Sequence, residues 1–190
     1  MLHRVFGWDP AAGDSSPGGP LFNPRRQQGG GRHDNPDLYG ALYLSRVEVS
    51  AIAEWLAPFR GQPISTTDLQ RTDGRLSSIV GIDESSLGDL VDLDEPRELA
   101  ARFLRPSAVA TYDRAITQPI ARALFHEGVG GFGWWSALEA QWPNVTLFAE
   151  RVVSRIRVAD GPRPLTIADP SLIAAAAAVG VVIAGRPPGR

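Results

Sequence analysis

Arg4, Arg32, Tyr43, Glu54 and Ser136 are the side chains whose types and surroundings point to chemistry. Arg32 sits in the glycine-rich run GGGRHDNP, where backbone amides could approach a phosphate while the guanidinium grips it through two N–H donors. The run lacks the Gly-Lys-Ser/Thr ending of a P-loop, and no GxGxxG follows the first strand-like segment. Tyr43 stands in ALYLS, where strand alternation sends its ring to the face opposite Leu42 and Leu44. It is either a stacking wall or a half-buried core residue with a satisfied hydroxyl. Glu54 falls about 150° around its helix from the centre of the apolar stripe. That direction suits a solvated glutamate or a carboxylate facing a site. Ser136 opens the capping-box pattern Ser-Ala-Leu-Glu, as the N-cap of a helix SALEAQ. No GxSxG and no evident His-Asp pair surround it, so it is not read as a hydrolase nucleophile. Arg4 lies in the first strand, where a buried ion pair is its plainest role.

Composition narrows the classes. The 190 residues suit one domain with a real core, and 43% of them are hydrophobic. Net charge is −2 and every one of the 19 basic residues is an arginine, so no clustered cationic excess predicts direct nucleic-acid binding. The absence of cysteine removes thiolate nucleophiles, thiolate metal sites and disulfides. His3, His33 and His126 have no ligand spacing, so no metal is expected. The start MLHRVFGWDP has no signal-peptide core, and the apolar run Leu172 to Ala184, at 13 residues, is too short to span a bilayer. A soluble, cytoplasmic chain is the expectation; a homo-oligomer is left open.

The elements that must position those side chains are mixed. Leu2 to Trp8 reads as a first strand, and residues 9–38 have no helical or strand period. After ALYLS, Ser45 and Glu48 form a capping-box pattern, and Val49, Ile52, Ala53 and Leu56 mark an amphipathic helix that Pro58 and Gly61 end. Residues 60–86 show no assignable pattern. A strand leads from 87 towards a helix at Pro96 with Asp94 as N-cap, and a second helix covers Thr111 to Phe125, bent or interrupted at Pro119. Asn144 to Phe148 and Arg151 to Val158 read as strands, followed by a proline-rich turn, a helix near Pro170 to Val179 and a last short strand. The fold class is α+β: a single mixed domain over 1–190, with a small central β-core flanked by helices.

The order of these blocks resembles the RES-domain family. LHRVF, then GRHDNP with ALYLS, then AIAEWL, TQPIARALF and GGFGWWSAL…NVTLF carry the likeness. A second block, LFNPRR, offers Arg25 and Arg26 as alternative occupants of the arginine position. The resemblance implies an ADP-ribosyltransferase-like fold and an enzyme that degrades NAD, with water or inorganic phosphate as the acceptor of ADP-ribose. It implies Arg32, Glu54 and Ser136 as catalytic residues, with Arg4 on the pyrophosphate and Tyr43 beside nicotinamide. It also implies a toxin restrained by a helix-turn-helix antitoxin. The alternatives are an ADP-ribosyltransferase acting on a protein, or a catalytically weak antitoxin-binding module. Residues 9–31 would then be an insertion at the pocket mouth, as a lid or partner-contact loop.

Overall fold

The computed structural model describes residues 1–88 and 90–185, so Asp89, within the expected 87–96 strand, and the last five residues lie outside the described residues. In chain order the elements are β1 (Leu2–Trp8), β2 (Ala41–Ser45), α1 (Glu48–Leu56), β3 (Pro63–Ile64), β4 (Leu76–Ile82), β5 (Val91–Asp92), α2 (Pro96–Ala101) and α3 (Pro106–Val109). They continue with α4 (Arg114–His126), β6 (Gly131–Trp135), β7 (Pro143–Phe148), α5 (Ala149–Val152), β8 (Val158–Pro164), α6 (Pro170–Val179) and β9 (Val182–Ile183). Seven strands form one sheet in the order β5-β6-β7-β2-β1-β4-β8, antiparallel except for β5 beside β6; β3 and β9 form a separate parallel pair. This is the α+β class expected from the sequence. Among the described residues no helix is long and apolar enough to cross a membrane.

Alternation decides which face each strand residue takes. Leu2 and Phe6 of β1 join Leu42 and Leu44 of β2 in one buried cluster, while Ala41 and Tyr43 turn to the other face with Phe132 and Trp134. Ile52, Ala53 and Leu56 of α1 are fully buried against Leu172, Ala175, Ala176 and Val179 of α6. Alanines on α6 let the two helices approach closely. Asp169 caps α6 by accepting from the Ser171 amide at 2.9 Å, and Gly180 ends it at φ 73°, a left-handed turn that suits glycine. Arg163 binds both Glu48 at the start of α1 and Asp169, which ties the two helices together. Burying α1's aliphatic stripe, at about 1.5–3 kcal/mol per large side chain, makes that helix a rigid platform.

Several expectations needed correction. The helix begins at Glu48 with Val47 as an uncapped N-cap; Ser45 remains in β2, where its hydroxyl accepts from the Val47 amide. The N-cap of α2 is Glu95, without a side-chain bond, and not Asp94. α4 starts at Arg114 and runs uninterrupted through Pro119, capped by Asp113. Arg151 to Val158 is no strand: the chain first makes α5, and β8 begins at Val158 and includes the prolines expected to turn. Ser136 caps no helix, since residues 136–142 are bends and a turn. The unassigned 60–86 segment contains β4, which lies between β1 and β8. Its Ser77 and Ser78 are buried alongside its apolar residues, which erases the in-out alternation a sequence would show.

Candidate active site

β1 and β4 are in register over their whole length, from Leu2↔Ile82 to Trp8↔Leu76, whereas β1 and β2 share the single pair His3↔Ser45. Where these two strands part, a cavity of about 480 Å³ opens. Arg4 comes to it from β1, Tyr43 from β2, Glu54 and Trp55 from α1, Trp134 from β6 and Asn144 from β7. Gly30, Gly31 and Arg32 arrive from the loop before β2, Tyr112 from the link between α3 and α4, and Arg114 from the first position of α4.

Arg32 is 8% exposed, and its guanidinium carbon lies 4.4 Å from the Trp134 ring centre and 5.5 Å from that of Tyr112. One terminal nitrogen donates to the Val109 carbonyl, and the Arg32 carbonyl accepts from the Thr117 hydroxyl. Its Nε and other terminal nitrogen are buried and have no partner among the described residues. Burial lowers its pKa, an effect that the Glu54 carboxylate opposes. A buried charged donor without an acceptor costs about 1–3 kcal/mol or more. Two such donors on one guanidinium, at the wall of a cavity, are unused capacity for an anionic acceptor.

Glu54 faces that cavity rather than bulk water. Its Oε1 accepts from the Ser136 hydroxyl at 2.6 Å and from the Asn144 amide at 3.1 Å. Ser136 is itself placed by accepting from the Leu138 amide at 3.0 Å. The oxygen of Asn144 accepts from Ser50, one turn before Glu54 on α1, at 2.9 Å.

The glycine run is held differently from expectation. Asp34 Oδ2 accepts from the Gly29 amide at 2.8 Å and the Gly31 amide at 2.6 Å, so the chain's own carboxylate occupies amides that the sequence offered to a phosphate. Asp34 Oδ1 takes the Tyr43 hydroxyl at 2.7 Å, and that hydroxyl in turn accepts from the His33 amide at 2.9 Å. Burial, and the negative charge of Asp34, raise the Tyr43 pKa well above 10, so the ring is a neutral, fixed wall. His33 is buried among Tyr43, Phe132 and Trp134, and burial keeps its imidazole neutral. Gly31 is required here: a Cβ would lie 2.4 Å from the Tyr43 hydroxyl and 2.6 Å from Asp34, whereas the space around Gly30 is open. Gly31→Ala should cost about 1–3 kcal/mol in denaturant unfolding, and Gly30→Ala less than about 0.5 kcal/mol. Equal effects would show that the Asp34 clasp does not define the loop.

Arg4 is partly buried, and burial brings its pKa down to about 10, so it stays charged near neutrality. Its two terminal nitrogens donate to the carbonyls of Pro20 and Phe22, which fastens the 9–31 segment across β1. Arg25 points elsewhere, to the Pro36 and Asp37 carbonyls and Glu150, and neither it nor Arg26 lines the cavity. Among the described residues no cluster of His, Asp or Glu could hold a metal ion.

The model of the RES domain family matches residues 2–168. The chain belongs to the RES domain family. A solved structure, described as the crystal structure of the M. tuberculosis MbcT–MbcA toxin–antitoxin complex, matches at 20% identity and a TM-score of 0.55, covering 87% of this chain and 83% of that one. At that identity the likeness speaks to the fold. No curated protein matches the chain.

In this RES domain, Arg4, Arg32, Tyr43 and Glu54 line one cavity, and Ser136 reaches it through its bond to Glu54. Asn144, Trp134 and Tyr112 were not singled out by sequence, although all three line the same cavity. A usable signal for Asn144 was present. Asn144 and Thr146 alternate with Val145 and Leu147 along β7, and both polar residues are buried. A polar face inside an apolar strand calls for partners. Tyr112 carried no such signal, because it lies between helices and its proximity to Arg32 is purely tertiary.

Proposed function

We propose that this RES domain cleaves the bond between nicotinamide and ribose in NAD, as a glycohydrolase or a phosphorylase. The observation that carries the reading is the Arg32 guanidinium, buried with two donors unpartnered among the described residues, at the cavity that also holds Glu54. Arginine matches a phosphate geometrically, and Arg4 and Arg114 add positive charge to the same cavity. Tyr43, Trp134, Trp55 and Tyr112 give it aromatic walls suited to a pyridinium ring and an adenine. A cavity of about 480 Å³ lies within the range of small-molecule sites.

Glu54 has the role that the chemistry demands. As the C1′–N bond breaks, its electron pair leaves with nicotinamide, which departs as a neutral amine and needs no strong acid. Positive charge grows on the ribose, and a carboxylate held beside it stabilises that charge. Water, which releases a proton to solvent, or phosphate then bonds to C1′ through oxygen, giving ADP-ribose or its phosphorylated form. Ser136 orients Glu54 and does not attack. Glu48, the other acid of α1, is bound by Arg163 and is absent from the cavity, so a protein-modifying transferase gains no support from a second carboxylate.

In this reading the chain is a cytoplasmic toxin restrained by a helix-turn-helix antitoxin; the toxin–antitoxin neighbour supports the pairing of toxin with antitoxin. Incubating the purified protein with NAD, with and without phosphate, should release nicotinamide with free ADP-ribose or its phosphorylated form. Labelled protein would favour the transferase instead, and a folded, partner-free sample without turnover would leave an antitoxin-binding module.

A further inference from the structure

Asn144 is buried at 1% exposure and Ser50 at 0%, and both belong to a chain of hydrogen bonds that ends on Glu54. A carboxylate only accepts, so Asn144 must present its nitrogen to Glu54 Oε1, at 3.1 Å. Its carbonyl oxygen therefore faces Ser50, and the Ser50 hydroxyl must donate to it, at 2.9 Å. Ser136 donates to the same Oε1 at 2.6 Å. With two donors on one oxygen the carboxylate plane is fixed. Oε2 has no hydrogen-bond partner among the described residues, and Glu54 lines the cavity.

We infer that Asn144, locked by Ser50, is a positioning residue that holds Glu54 Oε1 so that Oε2 is the oxygen presented to the ligand. The inference rests on the NAD-cleaving reading of the site. Strand β7 supplies the fixed point: Asn144 sits between Ser45 of β2 and Trp134 of β6 in the sheet register, so its side chain leaves a paired backbone. Ser50 and Glu54, four residues apart on α1, share a helix face, and Asn144 bridges them. The staple therefore joins the helix that carries the carboxylate to the sheet that carries the aromatic wall.

The test uses the full chain and its nicotinamide release from NAD. Asn144→Ala should lower kcat about ten- to a hundredfold, the scale of a misplaced catalytic group, while the KM for NAD stays within about threefold of wild type. Asn144→Asp keeps the shape and places a second carboxylate against Oε1, so the acid limb of its pH–kcat profile should move to higher pH. The other groups facing Glu54 are Arg4 and His3 from β1, Tyr43 from β2, Arg32 from the loop, and Tyr112 and Arg114 at α4. They are common to both proteins, so the displacement isolates the new pair. Ser50→Ala, which frees the Asn144 oxygen, should lower kcat by a smaller factor and keeps the test alive if Asn144→Ala fails to fold. A folded Asn144→Ala with wild-type kcat, a loss confined to KM, or a superimposable Asn144→Asp profile would overturn the inference and leave the reading intact. A wild-type protein that releases no nicotinamide would instead bring down the reading, and the inference with it.

Discussion

Glu54→Gln is expected to lower nicotinamide release by a factor of about 10² to 10³ in kcat, the range for losing one preorganised electrostatic contact to a transition state, with thermal stability near wild type. The hydrogen bonds dictate how the new side chain sits. Ser136 and Asn144 both donate to Oε1, so the glutamine must place its carbonyl oxygen there. Its NH2 group then falls where Oε2 stood. In the proposed reaction a partial positive charge would then face the sugar as positive charge develops on it, which is worse than simple neutralisation. The apolar stripe of α1 is untouched, because Ile52, Ala53 and Leu56 point to α6. NAD binding, followed through quenching of Trp55 and Trp134 in the cavity wall, should persist. Turnover within threefold of wild type would reject the charge-stabilising role of Glu54.

The same helix shows how far the sequence could be read. The period of Val49, Ile52, Ala53 and Leu56 located α1, and the angular offset of Glu54 placed it correctly off the core face. What the period could not say is what lies opposite that face, since Ser136 and Asn144 are 82 and 90 residues away. β1, β2 and α6 were legible for local reasons: alternation in the first two, and Pro170 with Gly180 bracketing the third. β4 was illegible because its buried serines mimic surface residues. The helical assignment at Ser136 failed because a capping pattern is only a local offer. Its hydroxyl does accept the Leu138 amide, as in a cap, but it also donates to Glu54, and no helix follows. The glycine run misled in a similar way. The amides were correctly seen as anion-binding, yet Asp34, three residues beyond Gly31, is the anion that binds them.

Arg32→Met should separate function from stability most sharply. In the wild type the guanidinium lies against the Trp134 and Tyr112 rings with Nε and one terminal nitrogen unpartnered among the described residues, a costly arrangement without a ligand. Even a buried ion pair can be replaced by well-packed apolar side chains at no cost, or with a gain of about 1–4 kcal/mol, and Arg32 has no such partner to lose. Methionine keeps an apolar side chain of similar volume at the position and gives up a bond to the Val109 carbonyl. The melting temperature should therefore hold or rise. Binding should move the other way, since a charged hydrogen bond contributes about 1.5–3 kcal/mol. Losing two such bonds to a phosphate would make the Kd for NAD at least about a hundredfold weaker, so NAD should raise the melting temperature of the wild type and leave that of the variant unchanged. Arg25→Ala is the control, because its partners are the Pro36 and Asp37 carbonyls and Glu150, outside the cavity. That variant should lose stability and keep its affinity for NAD. The opposite pattern, an Arg32→Met protein that melts early yet binds NAD as wild type does, would make Arg32 a structural cation and remove the phosphate site. Stability gained where binding is lost is what a cation retained for its ligand must produce, because only the ligand completes its hydrogen bonds.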